Sequence, residues 1–239
     1  MKFILQISAL YFSFLLYVPN AYCQDTNDLD KQSWIDFRAY YVINNLWTYD
    51  GDYGLRGIIS GEDWQRIHIN PSVVYNLSTQ TFLRGGIRLV YTNEITNSNT
   101  FEIRPWQGIR FIWPQTEYFI ISQYVRLEER FTIYTQADFS DFVIRARYRI
   151  MAKTPNIRLK AIDQIFYFLT SFEFFSNLGK AIVEAFVSRT RLTFGMGYIP
   201  GKSFRIELNY IFQSSRKDSE EGIKLGVHIL RVRFRYYIN

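Results

Sequence analysis

The segment DFVIRARYRI, residues 141–150, decides the fold class, because charged and apolar residues alternate along it. Arg145, Arg147 and Arg149 occupy every second position, and apolar or aromatic residues stand between them. On a helix the three guanidinium groups would spread over more than half of the circumference. On a strand they share one face, and the apolar residues share the other. The segment therefore predicts a β-strand that separates two different environments.

The same period of two runs through most of the chain, and it is the period of strands rather than of helices. It marks eleven candidate strands with turn-rich stretches between them. The candidate strands are 34–43, 53–59, 64–76, 82–92, 100–112, 117–134, 143–151, 164–175, 189–198, 204–213 and 224–238. The stretch 49–52, Tyr-Asp-Gly-Asp, is predicted to be one of the turns. No linker divides the chain, so one domain is expected.

The number of strands does not follow directly from these segments. A single-chain bacterial barrel has an even number of antiparallel strands, so at least one of the eleven segments should be misassigned. The segment 53–59 is the weakest, and 117–134 is long enough to contain a misplaced boundary. At about 20 residues for each strand and its connection, we expect about ten strands, and counts from eight to twelve stay open.

Alternation alone allows two architectures. In a soluble periplasmic, lipocalin-like binding barrel, apolar residues face inward and polar residues face water. In an outer-membrane barrel, apolar residues face lipid and polar residues face the lumen. Three features favour the second: a polar face rich in Arg and Glu with almost no Lys, Trp and Tyr near strand ends, and an alternating final strand. We therefore expect an all-β fold, an antiparallel transmembrane β-barrel.

The first residues have the pattern of a secretory signal peptide. Residues 3–18 are almost entirely apolar, and Ala21 and Cys23 stand at the −3 and −1 positions of a cleavage site before Gln24. The mature chain would then contain no cysteine, which excludes disulfides and thiol chemistry. The location expected is the bacterial outer membrane. The predicted divisions are a signal peptide at 1–23, an N-terminal periplasmic segment at 24–33 and the barrel domain at 34–239.

Composition and charge narrow the range of partners. The net charge is +6, and the basic residues are spread along the chain instead of forming a patch. An exported chain of this kind is not expected to bind nucleic acid. The expected partners are outer-membrane lipid or lipopolysaccharide, the barrel-assembly machinery during biogenesis, and an anionic solute.

Three segments resemble a known family: RPWQGIRFIWP at 104–114, YVRLEERF at 124–131 and FVIRARYRI at 142–150. It is an uncharacterised domain-of-unknown-function family of Gram-negative exported proteins, assigned to the outer-membrane β-barrel group. Its members have an N-terminal signal, a Trp-led first strand, an R-x-R-x-E-x-R-like central strand and a following R-x-R-x-R strand. Tyr124 stands where the central strand would have its first arginine. The resemblance covers 34–239 and implies fold and location, but no activity.

If the charged face lines a lumen, arginine greatly outnumbers acid there. The candidate site is a lumen charge ladder on three strands, made of Arg126, Glu128, Arg130, Arg145, Arg147, Arg149, Arg231, Arg233 and Arg235. An unpaired buried charge costs several kcal/mol, so these arginines need partners. Glu128 is the first candidate to neutralise the arginines of 145–149. Two roles stay open: a structural lumen packed by Arg–Glu pairs, or a lumen that binds or passes small anions.

An outer-membrane lipid-modifying enzyme is an alternative function with little support from the residues. A nucleophile needs a base within hydrogen-bond reach, and the chain has two histidines, His68 and His228. Ser72 shares a face with His68 but lies roughly 13 Å further along the strand. We therefore assign no catalytic residue. We also expect no metal site and no cofactor, because the histidines are far apart in sequence and no cysteine remains.

Overall fold

The computed structural model describes residues 31–60, 64–94, 98–136, 139–159, 163–178, 189–216 and 223–238. No helix among these residues is long and apolar enough to cross a membrane. The predicted signal peptide at 1–23, its cleavage site and most of the predicted segment 24–33 lie outside the described residues.

The described residues form thirteen strands in one sheet. The strands are β1 (Lys31–Val42), β2 (Trp47–Ser60), β3 (Trp64–Asn70), β4 (Ser72–Asn76), β5 (Thr81–Glu94), β6 (Thr100–Ile112), β7 (Ile120–Tyr134), β8 (Phe139–Lys153), β9 (Ile157–Leu159), β10 (Gln164–Leu178), β11 (Arg189–Ile199), β12 (Phe204–Arg216) and β13 (Ile223–Ile238). β1 thus begins within the segment that was expected to precede the barrel.

β3 and β4 act as one strand that is interrupted at Pro71. Proline has no backbone N–H and cannot continue a ladder of hydrogen bonds. Both halves nevertheless pair with the same two neighbours, β2 and β5. Among the described strands, β9 pairs only with β10, beyond the end of β8, and adds no further strand to the circuit. With β3 and β4 counted together, the sheet therefore closes into a barrel of eleven strands. The predicted all-β barrel of about ten strands is confirmed.

The barrel closes through a parallel seam between β1 and β13, in which Ile35 lies opposite Val232. The expectation of an even number of strands is wrong for this chain. Eleven strands that alternate in direction leave the first and the last running the same way, so these two can pair only in parallel. The start of β1 and the end of β13 therefore lie at opposite ends of the barrel.

The turn predicted at 49–52 is also wrong, because these residues lie inside β2. The chain turns earlier, at 43–46, where the side-chain oxygen of Asn44 accepts two backbone hydrogen bonds at 2.9 Å. Asp and Gly are uncommon in strands. Here, however, the buried Asp50 carboxylate accepts two hydrogen bonds from Arg38, both at 2.6 Å. A charged partner on the neighbouring strand stabilises an extended conformation that local propensity disfavours.

The two faces of the barrel wall differ sharply in chemistry. Outward side chains are mostly apolar and well exposed, such as Ile35 at 53% and Leu230 at 50%. Inward side chains are mostly charged and buried, such as Asp36 at 1% and Glu128 at 0%. Apolar side chains thus face outward, and charged side chains face the interior. A small apolar cluster inside the barrel is formed by Trp34, Ile211, Val227 and Ile229.

Candidate functional site

Glu128 on β7 lies at the centre of the interior charges. Its fully buried carboxylate is surrounded by four arginines from β6, β7 and β8. Arg145 donates to it through two nitrogens, and the other contacts are 2.9 Å to Arg126, 3.6 Å to Arg104 and 3.8 Å to Arg147. Four guanidinium groups around one carboxylate leave a net positive charge at this point of the interior.

Ion pairs continue around the wall from this centre. Glu102 accepts hydrogen bonds from two arginines, Arg104 and Arg130, each through two nitrogens. Arg147 bridges Glu128 and Glu173, with 2.6 Å from its Nε to Glu173. The result is a continuous chain of charges across five neighbouring strands. Its members in order are Arg130, Glu102, Arg104, Glu128, Arg147, Glu173 and Arg191.

The predicted arginines on β8 differ in how well they are paired. Arg145 pairs with Glu128 on the preceding strand, and Arg147 pairs with two carboxylates. Arg149 forms no ion pair with any described residue, and its guanidinium lies 5.5 Å from the ring centre of Tyr124. Pairing therefore decreases along a single strand, from Arg147 to Arg149.

The predicted arginines on β13 form a second group. Arg235 donates to Glu207 at 2.9 Å, and Arg233 lies 3.8 Å from the same carboxylate. Asp36 on β1 is the other acid, at 3.3 Å from Arg233 and 4.0 Å from Arg231. The ion pairs of Asp36 therefore cross the parallel seam of the barrel.

Several interior residues were missed by sequence reasoning. The acids are Asp36, Asp50 and Asp52, and the arginines are Arg38, Arg56 and Arg66. The sequence does contain a signal for Asp36 and Arg38. Together with Trp34 they alternate with Ile35 and Phe37, which could have assigned them to the inner face. Asp50 and Asp52 gave no such signal, because the sequence Asp-Gly-Asp predicts a turn.

Aromatic rings also lie against some of the interior arginines. The guanidinium of Arg126 lies 3.9 Å from the ring centre of Trp106, and that of Arg56 lies 4.0 Å from the ring centre of Trp34. The Trp106 N–H donates to the side-chain oxygen of Asn70 at 2.7 Å, which fixes the ring in the wall. Cation–π contacts stabilise a guanidinium without cancelling its charge. The interior therefore keeps its positive charge.

Two cavities that the described residues line in the interior have volumes of about 150 Å³ and 280 Å³. The first is lined by fifteen arginines and two acids, Asp52 and Glu173. The second contains a mixed lining with apolar residues such as Phe82 and Leu169. Both cavities are bordered by the same five arginines, which we call the arginine belt. Its members are Arg38, Arg84, Arg149, Arg231 and Arg233.

Arg88 is the most conspicuous unpaired arginine of the first cavity. It is buried, and it forms no ion pair with any residue that the structure describes. Its Nε and Nη2 atoms are both buried without a hydrogen-bond partner. A buried donor without a partner costs free energy, and a bound ion or water commonly accounts for such groups in proteins. Arg88 therefore marks a place where a small anion would be stabilised.

The groups considered for catalysis do not form a nucleophile–base pair. Ser72 donates its hydroxyl hydrogen bond to the backbone oxygen of Asp50. His68 is buried, and neither of its ring nitrogens has a hydrogen-bond partner. His228 faces outward, where its Nδ1 lies 2.5 Å from the Tyr210 hydroxyl. Ser72 and His68 are thus close in sequence, but the Ser72 hydroxyl bonds to the backbone and not to the imidazole of His68.

His68 lies close to two acidic residues, Asp36 and Asp52, and the spacing of the three residues in the sequence does not predict this. The side chains of Asp36, Asp52 and His68 come from β1, β2 and β3. Their potential ligand atoms all lie within 4.8 Å of one another. Asp36 pairs in register with Gly54, and Gly54 pairs with His68, so the three strands bring the group together over a glycine.

The fold and the interior define a class: a closed, mostly antiparallel β-barrel with a charged interior and an apolar outer face. The chain belongs to the family described as Protein of unknown function (DUF2490), whose model matches residues 31–223. The predicted membership of an uncharacterised family is thereby confirmed. A search of curated proteins finds no match.

Proposed function

We propose that the protein is an integral outer-membrane β-barrel that binds small anions in its arginine-lined interior and admits them from solution. The observation that carries the anion proposal is the lining of the first cavity, where fifteen arginines face two acids. A confined, low-dielectric space with excess positive charge attracts anions and repels cations. The unpaired nitrogens of Arg88 provide donors for a bound anion.

The outer face supports the membrane location. Exposed apolar side chains cover the wall on all sides of the barrel, as with Ile67 on β3, Phe131 on β7 and Leu208 on β12. Monomeric soluble proteins rarely expose apolar patches of more than a few hundred Å². A lipid environment accounts for an apolar outer face with charges inside.

The dimensions and the rims of the barrel support the same location. β7 has 15 residues, and at the usual rise and tilt such a strand spans roughly 35–40 Å, more than the apolar band of an outer membrane. Exposed aromatic residues lie towards both ends of the barrel, where interfacial girdles are expected. Trp47 and Trp113 are at one end, and Phe139 and Phe142 are at the other.

The size of the interior limits the solute. Both cavities, at about 150 Å³ and 280 Å³, are smaller than the roughly 300–1,000 Å³ of pockets that hold drug-sized molecules. The arginine belt lies where the two cavities meet, so an anion that moves between them would contact it. Small inorganic anions such as chloride, phosphate and sulfate therefore fit better than larger metabolites.

The proposal is tested by ion selectivity in planar bilayers under a potassium chloride gradient. The reversal potential should show preference for chloride, and added phosphate should reduce the chloride current by occupying the arginines. Arg88→Glu should weaken both effects. Arg158→Glu is the matched control, because Arg158 is exposed and pairs with Asp163 outside the cavities.

Two results would contradict the proposal. One is a conductance that prefers potassium. The other is a sealed barrel that also binds no phosphate in equilibrium dialysis. Either result would leave the interior arginines with a purely structural role.

A further inference from the structure

We propose that Asp36, Asp52 and His68 form a binding site for one divalent transition-metal ion of the zinc type. The ion would lie in the wall of the barrel, beside the first cavity. The site does not rest on the proposed uptake of anions.

The unpaired atoms of the three side chains support a ligand. Asp36 Oδ1, Asp52 Oδ1 and both ring nitrogens of His68 are buried without a hydrogen-bond partner. His68 is 1% exposed and Asp36 is 1% exposed, so bulk water does not satisfy them. Burying an imidazole with neither nitrogen paired beside two free carboxylate oxygens costs free energy. A ligand bound between these groups would remove that cost.

The spacing fits a metal better than a direct contact. His68 Nε2 lies 3.6 Å from Asp52 Oδ2, which is too long for a hydrogen bond. Two ligand atoms at about 2.0–2.2 Å from one tetrahedral ion are separated by roughly 3.3 Å. Small rotations of the side chains would therefore bring a carboxylate and the imidazole onto one ion.

Gly54 creates the space for the site. It lies between Asp36 and His68 in the register of β1, β2 and β3. A Cβ atom at this position would collide with Asp36 Oδ1 and with His68 Cε1. Glycine weakens a strand, and here its lack of a side chain allows two potential ligands to approach one another.

The surroundings provide orientation and access. Arg233 binds Asp36 through Oδ2 at 3.3 Å, which holds the carboxylate and leaves Oδ1 free. Hydrogen bonds of this kind orient ligating carboxylates in metal sites. Asp52 and His68 also line the first cavity, so an ion can reach them and a solvent molecule can complete its coordination.

The chemistry of the ligands selects the ion and excludes an anion at this point. Two carboxylates and a neutral imidazole suit Zn²⁺ and neighbouring divalent transition metals, whereas Mg²⁺ and Ca²⁺ prefer oxygen ligands alone. An anion would be repelled by the same free carboxylate oxygens.

The test is a titration of the protein, purified from membranes without a histidine tag and stripped with EDTA, with Co²⁺. We expect one Co²⁺ per chain, visible absorption bands of a four- or five-coordinate ion, and displacement by Zn²⁺. His68→Gln and Gly54→Ala should each weaken binding by more than about 100-fold, above the 10–100-fold that loss of an outer-shell partner costs. His228→Gln removes the other histidine and should change nothing.

Binding that persists in His68→Gln, or that is lost equally in His228→Gln, would overturn the site, as would wild-type protein that binds no Co²⁺. Heat-dependent gel mobility reports whether each variant is folded. If a variant does not fold, the imidazole ¹⁵N resonances of the wild type decide the question. Zn²⁺ should shift the resonances of His68 and leave those of His228 in place, and unchanged His68 resonances would contradict the proposal.

Discussion

The arginine ladders on β8 and β13 have the same sequence pattern and different partners. On β8, Arg147 takes its carboxylates from strands on both sides, with a shortest contact of 2.6 Å. On β13, Arg233 takes one carboxylate from β12 and the other from β1, across the parallel seam, with contacts of 3.8 Å and 3.3 Å. The same alternation of Arg therefore has two roles. On β8 the arginines surround the central acid Glu128, and on β13 they link the last strand of the sheet to the first.

The difference indicates where the barrel wall is held most weakly. Charge-assisted hydrogen bonds are strongest at about 2.7–2.9 Å and weaken as the distance grows. The nearest arginine contact of Asp36, 3.3 Å to Arg233, is longer than the 2.9 Å contacts of Glu128 with Arg126 and Arg145. We infer that the seam between β1 and β13 depends on its backbone pairing more than on its ion pairs.

Cross-linking of the seam between β1 and β13 should show the largest difference between a test variant and its control, because a disulfide either forms or does not form. In a Cys23→Ser background, Ile35→Cys with Val232→Cys should form a disulfide under mild oxidation, since these positions are directly opposite. Ile35→Cys with Tyr236→Cys is the control. Its positions are offset by four residues, roughly 13 Å along the strand, beyond the 7 Å that a disulfide can bridge. Cross-linking of the control pair instead would rule out the parallel register.

Glu128→Gln should have the largest effect on stability. It removes the carboxylate from among four arginines and leaves buried charges without an acid, which typically costs about 3–5 kcal/mol. Urea unfolding of the barrel in detergent, followed by tryptophan fluorescence, measures the loss. Glu129→Gln on the outward face should change the free energy of unfolding by about 0.5 kcal/mol or less. Equal effects of the two substitutions would show that the ion pairs of Glu128 contribute no more to the free energy of unfolding than an outward charge does.

Asp36→Asn should cost less, about 2 kcal/mol, because its nearest contact with an arginine is longer than the nearest contacts of Glu128. The measurement is the same unfolding experiment, with EDTA present so that metal binding does not contribute. Asp141→Asn, at an exposed position of β8, should be close to neutral. A loss at Asp36 that exceeds the loss at Glu128 would reverse our ranking of the two regions.

Arg149→Gln should have the smallest effect, within about 0.5 kcal/mol of the wild type. Arg149 forms no ion pair with a described residue, so its removal leaves no carboxylate unpaired. Arg147→Gln is the comparison on the same strand, and it should cost about 3 kcal/mol because it leaves Glu173 and Glu128 with one donor fewer. Similar losses of stability in Arg147→Gln and Arg149→Gln would mean that an arginine of β8 contributes equally with or without an ion pair.

The sequence predicts the wall of the barrel well, because each strand carries the information about its two faces. The alternation in 141–150 needs no partner to be recognised. The parallel seam follows from the odd number of strands, and the even number usual in bacterial barrels argued against the eleven segments that the alternation marks. The strand at 49–52 could not be predicted, because Asp and Gly predict a turn there and only the contact between Asp50 and Arg38 explains the extended conformation.

The partners of the site are less predictable than its arginines. Glu128 and Arg145 lie on consecutive strands, so the sequence suggests their contact. Asp36 reaches Arg233 only because the first strand returns to the last one. Asp36, Asp52 and His68 are brought together by the register of three strands, which no local spacing reveals.

The central claim is that the outer face meets lipid while the charges lie inside. Spin labels on single cysteines at outward positions of the two ladder strands test it most directly: Ile144, Tyr148 and Ile150 on β8, and Leu230 and Val232 on β13. In vesicles, we predict that each label collides with oxygen and is shielded from a water-soluble nickel chelate. Labels that the chelate reaches along the length of both strands would show that water covers this face, and would contradict a membrane barrel.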